Sequence, residues 1–138
     1  MRTTSMNRKH SQRGTVVVEF GLAFLVFLAA IYGIMEFGRI VASYNILSGA
    51  AREGARYAVV HGSASGSPAS ASDIQTVVRN WAIGLDANSV AVTTTWNPGN
   101  GPGGKVNVQA TYTVTPFTGL ILTSGISLQS SSQMSISQ

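Results

Sequence analysis

The sequence predicts an α+β protein. A long N-terminal helix, transmembrane at first and amphipathic further on, packs on a three-stranded antiparallel sheet, with one short extra helix between them in sequence. Three observations carry this expectation. The run from Thr15 to Met35 is apolar apart from Glu19. No proline interrupts residues 15–60, so a helix started there can continue. After residue 90 the apolar residues change from helical spacing to strict alternation.

The first element spans a membrane by arithmetic. Thr15 to Met35 covers 21 positions, close to the roughly 20 residues a helix needs to cross a bilayer. The flanking charge sets an expected orientation. Arg2, Arg8, Lys9 and Arg13 all precede Thr15. From Thr15 onward five basic residues (Arg39, Arg52, Arg56, Arg79, Lys105) meet five acidic ones (Glu19, Glu36, Glu53, Asp73, Asp86). The net charge of +4 therefore belongs to the leader, which predicts a cytoplasmic N-terminus, with everything after about Met35 on the other side of the membrane. That distribution is unlike the basic face of a nucleic-acid binder, and no nucleic-acid partner is expected.

An ordinary secretory signal is cut after its apolar stretch. Here the attractive cut precedes it, after Gly14. Thr15 would then become the N-terminus and Glu19 the fifth residue. A carboxylate deep in an apolar run is costly unless something neutralises it. The new ammonium, of the same chain or a neighbour, can do so. The other reading of Glu19 is an interfacial acid at headgroup level, which needs no partner.

Continued to residue 60, the helix would be about 70 Å long, over twice the apolar thickness of a bilayer. Its outer half is expected in water. Phe37, Ile40, Val41, Tyr44, Leu47, Ala51, Ala55 and Ala58 recur at helical spacing as a packing stripe. Glu36 and Arg39 lie one turn apart and can pair, or stay solvated. Arg52 and Arg56 share a face, either solvated or with one kept for a carboxylate on the sheet or on a partner. Ala50, Gly54 and Ala58 form a row of small residues at steps of four that lets another backbone approach. Such a row serves packing inside the domain or a groove between subunits.

Residues 62–71 are rich in Gly, Ser, Ala and Pro and read as a flexible linker. Ser72 is the expected N-cap of a second helix, with Gln75 completing a capping box. Ile74, Val77, Val78, Trp81 and Leu85 give its apolar face, and Gly84 its end. Trp81 and Trp96 are expected in the core, Tyr44 and Tyr57 also, and His61 in solvent.

Three strands follow. Val90, Val92, Thr94 and Trp96 share a face of the first. In the second, Val106, Val108, Ala110, Tyr112 and Val114 alternate with polar residues until Pro116. The third, about Ile126 to Ile136, turns Ile126, Leu128, Met134 and Ile136 inward. Ser130 and Ser132 fall on that same face and specify its middle weakly. Short connections make an antiparallel meander whose apolar face needs a cover, and the outer half of the long helix is at hand.

No enzyme emerges. There is no cysteine, and His10 and His61 alone do not make a metal cluster. Gly62-Ser63-Ala64-Ser65-Gly66 has the letters of a nucleophile elbow but follows a helix in a low-complexity stretch. Asn97 to Gly104 is glycine-rich yet lacks a Gly-Lys-Ser/Thr ending, so it is a hairpin loop and not a phosphate cradle. No cofactor is expected.

Arg13-Gly14 followed by Thr15-Val16-Val17-Val18-Glu19-Phe20 resembles the processing site of type IV prepilins, the Flp/Tad branch in particular. Glu36-Phe37-Gly38-Arg39 and the block Ala50 to Ala58 resemble the signature segments of the TadE-like pseudopilin family. The likeness covers roughly residues 13–60. It implies a type IV pilin-like fold and a structural minor pilin of a tight-adherence (Tad) pilus assembly or secretion system. It also implies partners: an inner-membrane prepilin peptidase, other pilins, a platform protein and an assembly ATPase. By the same likeness Gly14 is the cleavage glycine, Thr15 the mature N-terminus, open to methylation, and Glu19 with Phe20 the register pair.

The expected organisation is a cleaved leader (1–14), a transmembrane helix (15–35), its extramembrane continuation (36–61), a linker (62–71) and a small α+β head (72–138). The mature protein would sit single-pass in the bacterial inner membrane or, once assembled, outside the cell. A rival remains: an anchored periplasmic adhesin whose Ser/Thr/Gln-rich outer sheet face binds a surface without entering a fibre.

Overall fold

The computed structural model of the chain describes residues 11–117, 119 and 124–137. The leader positions Arg2, Arg8, Lys9 and His10 lie outside the described residues, as does the side chain of Arg13. The elements run α1 (Ser11–Val60), α2 (Ala71–Trp81), a 3₁₀ turn (Ala87–Ser89), β1 (Ala91–Asn97), β2 (Lys105–Val114) and β3 (Ile126–Ser135). This is the α+β order the sequence predicts. The chain divides into two units, one of residues up to Phe37 and one of Gly38–Gln138.

In the first unit α1 is apolar on every side. Val17, Phe20, Ile34 and Met35 are each 69–73% exposed, and Val16, Leu22, Leu25 and Val26 are close behind. A helix with no polar face suits lipid and not water. α1 is one helix long and apolar enough to cross a membrane, with a mean hydropathy of 2.3 in its most apolar stretch. It is thus a single-pass anchor by length and composition. The described helix already includes Ser11, ahead of Thr15, so Gly14 is helical.

The second unit is the head. Its sheet has the order β1-β2-β3, antiparallel throughout. Val92 faces Ala110 and Trp96 faces Val106 across one pair, while Tyr112 faces Leu128 and Val106 faces Met134 across the other. The register of β3 runs without a break through Ser130 and Ser132. Ser130 is buried opposite the small Ala110, so the weak middle is filled by a size match. The peptide bond between Asn97 and Pro98, after β1, is cis.

The core joins α1, α2 and the sheet. Leu47, Ala51, Ala55, Ile74, Val78, Val90, Val106, Val108 and Ala110 are all fully buried in it. The expected packing stripe holds in its outer half, where Leu47, Ala51, Ala55 and Ala58 are buried, and fails in its inner half. Val41 and Tyr44 are 41% and 45% exposed, and Phe37 is 69% exposed. The buried stripe within the head runs through Ser43, Leu47, Ala50, Ala51, Gly54, Ala55 and Ala58. Small side chains let the head's part of α1 lie close to α2 and β2, while Val41 and Tyr44 stay partly exposed.

Three local expectations also give way. α2 is capped by Ser70, two residues before the expected Ser72. The Ser70 hydroxyl accepts from the Asp73 N–H, and the Ser70 N–H donates to the Asp73 carboxylate at 2.9 Å. The box partner is therefore Asp73 and not Gln75. α2 ends at Trp81, so Gly84, at φ +95°, shapes the turn beyond it and does not terminate it. Residues 62–71 are not a slack linker. The Ser63 N–H donates to the Asn100 carbonyl at 2.6 Å, the Ala69 N–H donates to that of His61 at 2.8 Å, and Ala69 is buried.

Candidate functional site

Gly14, Thr15, Glu19 and Phe20 lie on consecutive turns of α1, all exposed. A side chain at Gly14 would meet nothing within 4 Å. Thr15 and Glu19 are four residues apart, which puts them on one face of the helix with about 6 Å of axis between them. Their surroundings are Val16, Val17, Val18 and Leu22, 63–69% exposed. Phe20 stacks on Phe24, with ring centroids 6.0 Å apart and planes at 12°. A single carboxylate thus stands one turn in from Thr15 on an otherwise apolar cylinder. Chemically it can accept a hydrogen bond or pair with a cation, and the apolar setting strengthens either interaction.

Glu36 is buried, at 7% exposure, despite its charge. Arg39 donates from its guanidinium to the carbonyl of Thr115, just past β2. That bond ties the start of the head's helical segment to the far end of the sheet. Arg52 turns back along α1 to the carbonyl and hydroxyl of Ser48, at 3.3 and 3.4 Å. Arg56 lies 3.9 Å from Glu53 at the surface. Neither arginine is held by a carboxylate on the sheet, as one reading of the sequence expected.

The row Ala50, Gly54 and Ala58 is taken up inside the head. A Cβ on Gly54 would overlap Cγ2 of Val78 and touch Val108 and Ile74 at 3.4 and 3.5 Å. Ala50 and Ala58 are each 1% exposed. The close approach this row permits is therefore made by α2 and β2 of the same chain.

Residues 14–56 match the model of a known family, described as TadE-like protein. This segment is TadE-like. No curated relative and no solved structure matches the chain. The TadE-like match begins at Gly14 itself, takes in Thr15, Glu19 and Phe20, runs through Glu36 and Arg39, and ends at Arg56. It stops short of α2 and the sheet, so of the head it covers only the α1 part, residues 38–56. The TadE-like segment also crosses from the first unit into the second, where its small residues enter the head's core.

The head adds features that the sequence placed differently. Trp81 is 55% exposed, not in the core. It lines a cleft of about 310 Å³ between α1 and α2 with Glu53, Arg56, Tyr57, Val60 and Val77. Tyr57 stacks on His61 at 4.1 Å, and the His61 Nδ1 lies 2.9 Å from the Tyr57 carbonyl, so the ring is held and not simply solvated. Trp96 is half-buried against the core, and its indole N–H is buried without a partner among the described residues. The cleft could not be read from the pattern, because α2 was expected to run on to about Gly84. Ending it at Trp81 puts the indole on the last turn, at the rim. Among the described residues no three His, Asp or Glu side chains gather where a metal ion could be held.

Proposed function

We propose that this protein is a structural minor pilin or pseudopilin of a Tad (Flp-type) pilus assembly or secretion system. One observation carries the reading: the TadE-like match begins at Gly14 on a lipid-suited helix, and Glu19 stands one turn in from Thr15 among apolar residues. In this reading the basic leader keeps the N-terminus in the cytoplasm and the head in the periplasm of the inner membrane. A prepilin peptidase removes residues 1–14. The Thr15 ammonium then meets the carboxylate of Glu19, in its own chain or in the next.

The anchor waits in lipid and afterwards packs beside the helices of other pilins. Apolar burial changes little in that transfer, since lipid and neighbouring helices are about equally apolar. Close packing and the placing of one carboxylate are left to select the register. The platform protein and assembly ATPase of such a system are the remaining partners in this proposal. The role is structural and calls for no catalytic residue.

Intact-mass and N-terminal analysis of the protein from cells with a Tad system is the direct test. The mature chain should begin at Thr15. A functional chain that still begins at Met1 would overturn the proposal.

A further inference from the structure

Residues 126–136 read ISLQSSSQMSI, a palindrome about Ser131 whose one unequal pair is Leu128 with Met134. This segment is β3 plus Ile136, and β3 is an edge strand of the sheet formed by the described residues. Exposed edges are usually blunted by charge, proline or a bulge. This one carries no charged residue, no proline and no glycine, and its ladder with β2 has no bulge.

The backbone direction agrees with the palindrome. The Ile136 N–H donates to the Gly104 carbonyl at 2.8 Å, and the Ile136 carbonyl accepts from the Gly103 N–H at 3.0 Å. Both polar groups of Ile136 thus point toward the β2 side. Backbone groups alternate sides along a strand, so those of the other even-numbered residues also point to β2. The odd-numbered residues from Ser127 to Ser135 direct theirs to the open edge. Ser131 is one of them, so the centre of the palindrome falls where a backbone pair can be exchanged.

We propose that β3 pairs antiparallel with β3 of a second copy, about a two-fold axis through Ser131, to give a continuous six-stranded sheet. In that register Ile126 faces Ile136 and Leu128 faces Met134 on the core side. Gln129 faces Gln133 and Ser131 faces itself on the outer side. Like meets like at every position, which an uncharged strand tolerates and a charged one would not. The contact is isologous and closes on itself, so it makes pairs of heads and does not propagate a fibre. It stands independently of leader processing.

The natural absence of cysteine makes a clean cross-linking test on the full chain in detergent micelles. Ser131→Cys should form a disulfide-linked dimer on mild oxidation. Gln129→Cys alone should not, because its two copies would lie about 13 Å apart. Gln129→Cys co-expressed with a differently tagged Gln133→Cys should form the mixed dimer. Adding Ser131→Lys to both of those chains sets two ammonium groups face to face and should cut the mixed product at least tenfold. Cross-linking of Gln129→Cys to itself as readily as Ser131→Cys would overturn the proposal. So would a monomeric Ser131→Cys, or a mixed dimer indifferent to Ser131→Lys.

Discussion

Gly54 of α1 lies against Val78 of α2 with no room for a side chain: a Cβ added there would overlap the valine's Cγ2. Val78 is fully buried and β-branched, so it cannot swing aside. Overpacking of this kind costs about 1–3 kcal/mol, and the better helix propensity of alanine recovers up to about 1 of it. Gly54→Ala should therefore lower the stability of the head, and Gly54→Val should lower it further. Gly49, on the same helix, has nothing within 4 Å of an added Cβ. Gly49→Ala should stabilise by up to about 1 kcal/mol. Denaturant midpoints of the three variants, at unchanged slope, check this.

The same helix shows where pattern reading stopped. Its length was legible from the absence of proline, and β2 from its unbroken alternation. The facing of α1 was legible only in part: Leu47, Ala51, Ala55 and Ala58 are buried as expected, whereas Phe37, Val41 and Tyr44 are not. Hydrophobic scoring gives weight to Phe37, Val41 and Tyr44, yet the sheet accepts Leu47 and a run of alanines and glycine, because closeness of approach and not greasiness fixes that interface. Leu47 is fully buried, so Leu47→Ala should cost about 2–5 kcal/mol. Tyr44→Ala, at a position 45% exposed, should cost well under half as much. Equal losses in thermal or denaturant unfolding would return Tyr44 to the core.

The start of α2 was ambiguous for another reason. Ser70 and Ser72 are equally good caps, and Asp73 and Gln75 sit equally well three residues on. The choice fell to Ser70, whose hydroxyl and N–H both bond the Asp73 carboxylate and hold its pKa below the ordinary 3.8. A carboxyl with a depressed folded-state pKa contributes stability above its unfolded value and loses it as pH falls through the folded one. The contribution should thus be complete at neutral pH and fade only in acid below about 3.8. Ser70→Ala should move the Asp73 midpoint up toward that value in a carboxyl NMR titration. Ser72→Ala should leave those two bonds in place and produce a much smaller shift.

The glycine-rich stretch after α1 looked slack because its composition carries no apolar pattern. Its order comes from backbone groups, which composition does not reveal: Ser63 to Asn100 and Ala69 to His61. The candidate site divides in the same way. Gly14, Glu19 and Phe20 were visible as a motif, whereas the cleft at Trp81 needed the true end of α2.

Gly14 lies inside α1 with open space around it, which separates two demands on this position. The helix would accept any side chain there. A peptidase, in the proposed function, must open the helix locally and pass the backbone through a narrow cleft. Gly14→Ala should therefore be processed nearly as the wild type, and Gly14→Leu should accumulate as precursor while still inserting. Immunoblots that resolve the 14-residue difference give the answer, and normal maturation of the leucine variant would remove Gly14 as the cut site. Glu19 tests the next step. Its neighbours are apolar and exposed, and Glu19→Ala or Glu19→Val should insert more easily into lipid and be cut normally. What the variant loses is the one charge that can meet the Thr15 ammonium when helices pack. Pilus yield should fall at least tenfold while cleaved subunit accumulates in the membrane. Wild-type yield from Glu19→Ala would instead favour the interfacial reading, in which the carboxylate rests among headgroups and selects nothing.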